Sequence, residues 1–335
     1  MLMGLIEAQR ADGIIGEVAS MAARDDAERP LEKECDRRGI PCRRVRFSPG
    51  INVIAAGQLL KEFERDGINL LHGHGYKPDI LFGMLLGRIR RIPMLTTVHG
   101  WTATRRFSKM GFYQLLDRAS WKWMDKVVAV ADNSPVHKGR RLRPNAVTIE
   151  NGIILPPDNS SSPAGLAMAR RIEQHCGARP CIGMLSRLSP EKGIDTMLSA
   201  MSRLRKEGRD YALVIIGEGQ LRRNIEQMIT DYELGGCVLM TGYIENASQL
   251  IPCFDLLAIP SRTEGLPITL LEAMANQIPV VASRVGQIPK VLNEGESGHL
   301  IDPDDDAALA SAIKHILEDS EYQDSLVRNA SKRVT

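Results

Sequence analysis

Two glutamates eight residues apart, Glu264 and Glu272, bracket the stretch of this sequence richest in chemistry. They lie in Pro260-Ser261-Arg262-Thr263-Glu264-Gly265-Leu266-Pro267-Ile268-Thr269-Leu270-Leu271-Glu272-Ala273-Met274-Ala275. An apolar strand ends at Pro260, a glycine-containing loop follows, and a helix starts near Ile268. The first-turn N–H groups of such a helix lack an intrahelical acceptor and form an anion site that a diphosphate fits. About two helical turns separate the carboxylates, so they cannot share one proton-transfer step. They can bind hydroxyls at two points along an extended ligand, or they are solvated glutamates on a capped strand–loop–helix. A second loop, in Gly183-Met184-Leu185-Ser186-Arg187-Leu188-Ser189-Pro190-Glu191-Lys192-Gly193, carries two cations after another apolar strand. Arg187 offers a rigid fork to phosphate and Lys192 a compact charge. Fixed cations beside a leaving diphosphate stabilise the transition state more than the ground state. The plain alternative is a pair of solvent-facing cations. Histidines make the third signal: Thr96-Thr97-Val98-His99-Gly100-Trp101 and Leu71-His72-Gly73-His74-Gly75-Tyr76 each place His at a strand end. His72 and His74 at i, i+2 could suggest a metal, but no carboxylate stands beside them in sequence, and no metal site is expected.

The glutamate segment resembles the Glu-x7-Glu motif of glycosyltransferase family 4, with its adjoining Pro-Ser-x-x-Glu-Gly and Glu-Ala-Met-Ala text. The resemblance spans roughly residues 10–320 and is most specific over 181–305. It implies a retaining transferase that moves a sugar from a nucleoside diphosphate, UDP- or GDP-linked, without a separate cofactor or a catalytic metal. Carried over by position, Glu264 binds donor-sugar hydroxyls, the backbone around Gly265, Leu266, Ile268 and Thr269 holds the diphosphate, and Glu272 binds the ribose. Arg187 and Lys192 match the family's phosphate-side cations. His99 matches a histidine near the donor sugar, at the edge of a cleft between two domains. Val214-Ile215-Ile216-Gly217-Glu218-Gly219 resembles the strand-to-Gly-x-Gly turn, which puts Gly217 at the donor, and Thr241-Gly242-Tyr243-Ile244 matches the loop that contacts the base. His74, Tyr76, Trp101 and Arg105 are acceptor-side candidates. The segment 101–126 could face an acceptor or a membrane, or form a half-buried helix.

These loops need strands and helices that hold them. In the first half, strands are expected at 13–19, Cys42–Phe47, Ile68–His72, Met94–Val98 and Val127–Val130. Helices are expected at 29–38, 53–66, 78–88 and 108–124. Gly39 stands where a C-cap should. In the second half, strands are expected at Cys181–Leu185, Ala212–Ile216, Val238–Thr241, Leu256–Pro260 and Val280–Ser283. Helices are expected at 193–207, 219–231, 246–251, 268–276 and 305–318. Apolar strands alternating with helices indicate parallel sheets covered on both faces. The fold class is therefore α/β, and the resemblance implies GT-B architecture: two Rossmann-like doubly wound domains facing across a cleft. The boundaries read as an acceptor-side domain over 1–155, a linker over 156–165 at Asn159-Ser160-Ser161-Ser162-Pro163, a nucleotide-sugar domain over 166–320, and the start of a crossing helix over 321–335. Departures from the family pattern are Gln277 and Gln287, where glycine is usual, and Lys290, where glutamate is. The pattern opens with a buried strand and a glycine-rich loop that approaches the donor. This chain begins on what reads as the following helix, which would leave a sheet edge or a gap.

Composition sets the outer limits. The chain's 335 residues exceed one ordinary core and suit two domains. With 43% hydrophobic and 25% charged residues it is a globular composition, with neither a membrane span nor a signal peptide in evidence. A cytoplasmic place is expected, either free or peripheral at the inner face of the membrane. The net charge of +2 divides unevenly: residues 1–150 carry 25 Lys/Arg and 17 Asp/Glu, a balance of +8, against −6 over the remainder. A basic half suits an anionic membrane or a phosphorylated or lipid-linked carbohydrate acceptor, or is a scattered solvated surface; nucleic acid is not an expected partner. The six cysteines show no Cys-x-x-Cys spacing and read as reduced structural thiols. Two rival functions remain: a nucleotide-sugar-binding protein without turnover, and a dinucleotide oxidoreductase. The second lacks the third glycine after Gly217-Glu218-Gly219.

Overall fold

A computed structural model describes residues 2–22, 29–46, 52–85, 87–99, 109–130, 136, 145–149, 152 and 163–334. The chain divides into two compact units, Met1–Gly152 and Ile153–Thr335.

The first unit runs α1 (Leu2–Ala11), β1 (Val18–Ala22), α2 (Pro30–Arg37), β2 (Cys42–Arg46), α3 (Val53–Arg65), β3 (Leu71–Gly73), α4 (Tyr76–Pro78), α5 (Gly87–Arg90), β4 (Met94–Val98), α6 (Lys109–Ser120), β5 (Lys126–Ala129) and β6 (Ala146–Thr148). All strand pairs are parallel, in two sheets, β1-β2 and β3-β4-β5-β6. Asn52 caps α3, its side chain accepting from Ala55 N at 3.0 Å. The first strand begins later than the apolar run suggests. Pairing starts at Val18 against Cys42, and Ile15 before it is 96% exposed. The helix expected over 78–88 is broken. Asp79–Gly83 winds as a π-helix after α4, and α5 starts at Gly87. Pro78 and Gly83 are poor helix formers at the ends of that turn, and the turn buries Asp79 against β4. The core joins Leu59, Leu60 and Phe63 of α3 to Met94, Val98, Val127 and Trp121. Phe47 lies outside the described residues.

The second unit runs α7 (Pro163–Cys176), β7 (Cys181–Leu185), α8 (Ile194–Lys206), β8 (Ala212–Ile216), α9 (Arg222–Asp231), β9 (Val238–Gly242), β10 (Leu256–Ile259), α10 (Ile268–Ala275), β11 (Val280–Ser283), α11 (Ile288–Val291), β12 (His299–Ile301), α12 (Asp306–Glu318) and α13 (Ser320–Val334). The segment expected as a helix over 246–251 is a 3-10 turn, Ala247–Cys253, with Pro252 inside it. Residues 159–162 of the linker segment lie outside the described residues, and α7 begins at Pro163, a residue suited to a first helical turn. The six strands form one parallel sheet in the order β12-β11-β10-β7-β8-β9. Alternate residues feed two cores. Ile182, Met184, Leu213 and Ile215 face the α8–α12 layer, and Cys181, Ala212, Val214 and Ile216 face the layer with Ile172, Leu270 and Met274. Each fully buried Leu or Ile contributes about 1.5–3 kcal/mol. Gln277, after α10, has φ +59 and takes up the left-handed backbone that glycine would hold without strain. Gln287 has φ −95 and no such demand. The last helix, α13, packs along α10 and α12 and buries Leu326 and Ala330. All six cysteines are free thiols. Among the described residues, no helix is long and apolar enough to cross a membrane.

Candidate functional site

The strand order places one point of the second unit apart from the rest. Chain order runs outward from β7 through β8 to β9, then reverses to run from β10 through β11 to β12. In open parallel sheets, ligands bind beyond the carboxyl ends of the strands at such a reversal. The loops that leave β7 and β10 there are residues 186–193 and 260–267, the two that the sequence marks.

The geometry joins them. Lys192 Nζ donates to Glu264 Oε1 at 2.6 Å, and the two side chains are 18% and 11% exposed. Ser261 Oγ donates to the same oxygen at 2.8 Å. Gly193 makes this approach possible: its φ is +64, and a Cβ there would stand 2.0 Å from Pro260 O. Gly217 is held alike, with φ +149 and a hypothetical Cβ 1.8 Å from Ser186 O, so the turn after β8 lies directly on the loop after β7. Its N–H donates to Gly242 O at 2.9 Å, which ties in the turn that carries Tyr243 and Ile244.

The other sequence candidates are placed as follows. Helix α10 starts at Ile268, and its N-cap Pro267 provides no side-chain cap. Leu270 N bonds Pro267 O, while the amides of Ile268 and Thr269 lie in the part of the turn without intrahelical acceptors. Leu266 is buried in the core, so only its backbone can meet a ligand. Gly265 O accepts from Gln287 N at 2.9 Å, which anchors the loop. Glu272 is half-buried on α10. Burial raises its carboxyl pKa, and a hydrogen bond with Ser248 partly opposes this. Tyr243 is 72% exposed, whereas Ile244 packs on the core. Arg187 is not brought to the pair. Its side chain is 72% exposed and meets Glu191 at 3.3 Å.

In the first unit, β3 and β4 are neighbours, and their carboxyl ends bring three histidines together. His74 Nδ1 and His99 Nε2 are 3.0 Å apart, and His72 Nε2 lies 2.8 Å from Thr97 Oγ1. The rings of His72 and His74 are 4.2 Å apart, and those of His74 and His99 5.3 Å. Burial pushes the pKa of His72 down to about 4 and that of His74 to about 3, and lowers that of His99. Tyr76 stacks on Tyr113 at 5.5 Å. Trp101 and Arg105 lie outside the described residues. Beneath β3 and β4, buried Asp79 accepts from Thr96 Oγ1 at 2.6 Å. Burial, with Asp117 beside it, raises its pKa well above that of an ordinary Asp. Among the described residues, no three His, Cys, Asp or Glu side chains are grouped to hold a metal ion.

Arg262, Ser261 and Asp195 also belong to the Lys192–Glu264 junction, although nothing in the sequence alone singles them out. Arg262 and Ser261 stand inside the glutamate motif, but only the fold shows what they touch. Arg262 binds Asp195, Asp304 and Pro190 O.

Residues 169–333 match the family model described as Glycosyl transferases group 1, and residues 2–153 match the one described as Glycosyltransferase Family 4. The alpha-D-kanosaminyltransferase of Streptomyces kanamyceticus is 25% identical over 275 residues, 78% of this chain and 71% of that protein. The GDP-mannose-dependent alpha-(1-6)-phosphatidylinositol monomannoside mannosyltransferase of Mycolicibacterium smegmatis is 35% identical over 165 residues, 46% of this chain and 43% of that protein. Among solved structures, Anabaena Alr3699/HepE in complex with UDP-glucose superposes with a TM-score of 0.77 at 18% identity, covering 94% of this chain and 93% of that one. At that identity the likeness concerns the fold.

Proposed function

The chain belongs to the family 4 glycosyltransferases, with the group 1 transferase domain and the GT-B fold, and from that premise we propose that it transfers a sugar, with retention of anomeric configuration, from a nucleoside diphosphate to a glycan, lipid-linked or other cell-envelope acceptor. The observation that carries this reading is the Lys192–Glu264 pair beside the open first turn of α10, at the point where the strand order reverses.

In this reading the α10 amides of Ile268 and Thr269 and the Lys192 ammonium take the diphosphate. Glu264 turns from Lys192 to the donor sugar's hydroxyls, and Glu272 takes the ribose. Arg187, exposed at the loop tip, closes on the phosphate only once the donor is bound. The C–O bond to the leaving phosphate breaks as the acceptor oxygen forms its bond on the same face. The phosphate oxygen accepts the acceptor's proton. Charge on the leaving group is met by Lys192 and the amides, without a cofactor. His99 belongs near the sugar as a neutral hydrogen-bonding group, and His74 and Tyr76 on the acceptor side. A UDP- or GDP-linked donor is favoured, because the Anabaena structure holds UDP-glucose and the mycobacterial relative is named as GDP-mannose-dependent. The +8 balance of residues 1–150 supports work at the inner face of an anionic membrane.

The test is a transfer assay with UDP- and GDP-sugars, with the product's anomeric configuration read by NMR. An inverted product would end the retaining assignment. Donor binding without transfer to any acceptor would replace the enzyme reading with that of a binding protein.

A further inference from the structure

Lys192 and Glu264 sit on separate loops, and both carry the proposed chemistry. Their separation depends on whatever holds those loops together. The Lys192–Glu264 contact alone cannot do so, because a donor that engages both side chains must part them.

Arg262 makes the link that survives. Its backbone N–H donates to Glu191 O at 2.8 Å, next to Lys192. Its guanidinium donates to Pro190 O at 2.5 Å, in the same turn. Two further N–H groups take Asp195 in a fork, at 2.9 Å to Oδ1 and 2.6 Å to Oδ2. Asp195 lies in the first turn of α8, directly after that turn. Arg262 Nε donates to Asp304 Oδ1 at 2.6 Å, in the turn between β12 and α12. Asp304 has φ +64, a backbone state that a non-glycine residue keeps only when its surroundings hold it. One side chain thus joins the loops after β7, β10 and β12. Lysine has neither the number nor the fixed fork of donors to do the same.

We propose that Arg262 is a positioning residue for sugar transfer: it clamps the Pro190–Gly193 turn to the Ser261–Glu264 loop and so holds Lys192 in place as the diphosphate leaves. This inference rests on the transferase reading above. The acceptor carboxylates are exposed, Asp195 by 49% and Asp304 by 57%, and such ion pairs add little to folding stability. Loss of the clamp therefore acts on rate, since a misplacement of about 1 Å in a preorganised group can cost on the order of 10² in turnover.

The experiment uses the full chain with Arg262→Ala, Arg262→Lys, Lys192→Ala and the double variant Lys192→Ala/Arg262→Ala. Arg262→Ala lowers kcat roughly 10- to 100-fold, while affinity for the free nucleoside, uridine or guanosine, which Glu272 takes without the diphosphate, stays within about threefold and the urea midpoint barely moves. Arg262→Lys fails to restore kcat. In the Lys192→Ala background the second substitution adds less than about threefold, because the two act as a unit. Turnover of Arg262→Ala within twofold of the parent overturns the proposal, as do full rescue by lysine and an undiminished loss in the Lys192→Ala background. Amide hydrogen exchange over residues 189–194 reads the clamp without turnover: it accelerates at least tenfold in Arg262→Ala, and an unchanged rate overturns the proposal. A parent enzyme silent with every donor would sink the transferase reading instead, and the exchange result would still judge the clamp.

Discussion

Lys192 Nζ and Glu264 Oε1 meet at 2.6 Å across 72 residues of sequence, and Ser261 shares the same carboxylate oxygen. Under the transferase reading proposed above, a nucleotide sugar separates the two groups, drawing the cation toward phosphate and the carboxylate toward hydroxyls. The pair's position differs sharply from that of Arg187, which among the described residues reaches only Glu191 and stays 72% exposed.

The first prediction follows from that contrast. Lys192→Ala should cost about 10²–10³ in kcat, the range for removal of one preorganised charge-stabilising donor. Arg187→Ala should cost less than about tenfold. Steady-state kinetics on the two single variants decide it, and equal losses would show that the loop rearranges to use both cations alike.

Nucleotide binding should depend on Glu272. Replacement by Gln removes charge-assisted hydrogen bonds of about 1.5–3 kcal/mol, so affinity for the free nucleoside diphosphate should fall by about tenfold or more. Burial raises this carboxyl pKa above 4.5, so acidification should protonate Glu272 and weaken binding at a higher pH than an exposed glutamate would. Calorimetric titrations across the acid range should show that slope in the parent chain and a flatter one in Glu272→Gln. Identical profiles would remove Glu272 from the ribose.

Asp79 should oppose stability at neutral pH. Its folded pKa is raised, so the native state holds the proton more tightly than the unfolded chain. Its contribution is therefore full below 3.8 and declines as pH rises through the folded value. Asp79→Asn keeps an acceptor for Thr96 Oγ1 and sets an N–H toward Asp117. It should stabilise the protein by about 1–3 kcal/mol at pH 7. Urea unfolding at several pH values measures both the gain and the lost slope. A less stable Asn variant at pH 7 would mean that the carboxylate is charged in the fold.

The histidine stack should stay neutral through the physiological range. His72 and His74 have folded pKa values of about 4 and about 3, below the ordinary 6.5. The stability they contribute is present above 6.5 and is lost as pH falls toward those values. Imidazole C–H resonances followed by NMR should titrate near 4 and 3. A midpoint near 6.5 for either ring would contradict its burial against its neighbour and would allow a charged His99–His74 pair.

Much of the second unit was legible because its strands lie at the sheet's centre. Ala212–Ile216, Leu256–Ile259 and Val280–Ser283 are buried on both faces, and such strands must read as unbroken apolar runs. Two of the edge strands, β12 and β6, gave no such signal. His299–Ile301 and Ala146–Thr148 are three residues long and only partly buried, so little in their composition separates them from loop. Helix α7 was missed because the Ser- and Pro-rich run before it reads as linker. The break at Asp79 was hidden inside an apolar stretch that a regular helix would explain equally well.

By itself the sequence determined which loops are candidates for chemistry, since a strand ending in Pro-Ser-x-x-Glu-Gly before a helix is a local pattern. What those loops touch was left to the tertiary structure. Arg187 and Lys192 share one loop and one charge, yet only Lys192 meets Glu264. Arg262 reaches Asp195 across 67 residues and Asp304 across 42. The physical reason is the order of the strands. Hydrogen bonding and helix packing set β7 beside β10 in one parallel sheet, and no periodicity along the chain records that neighbour.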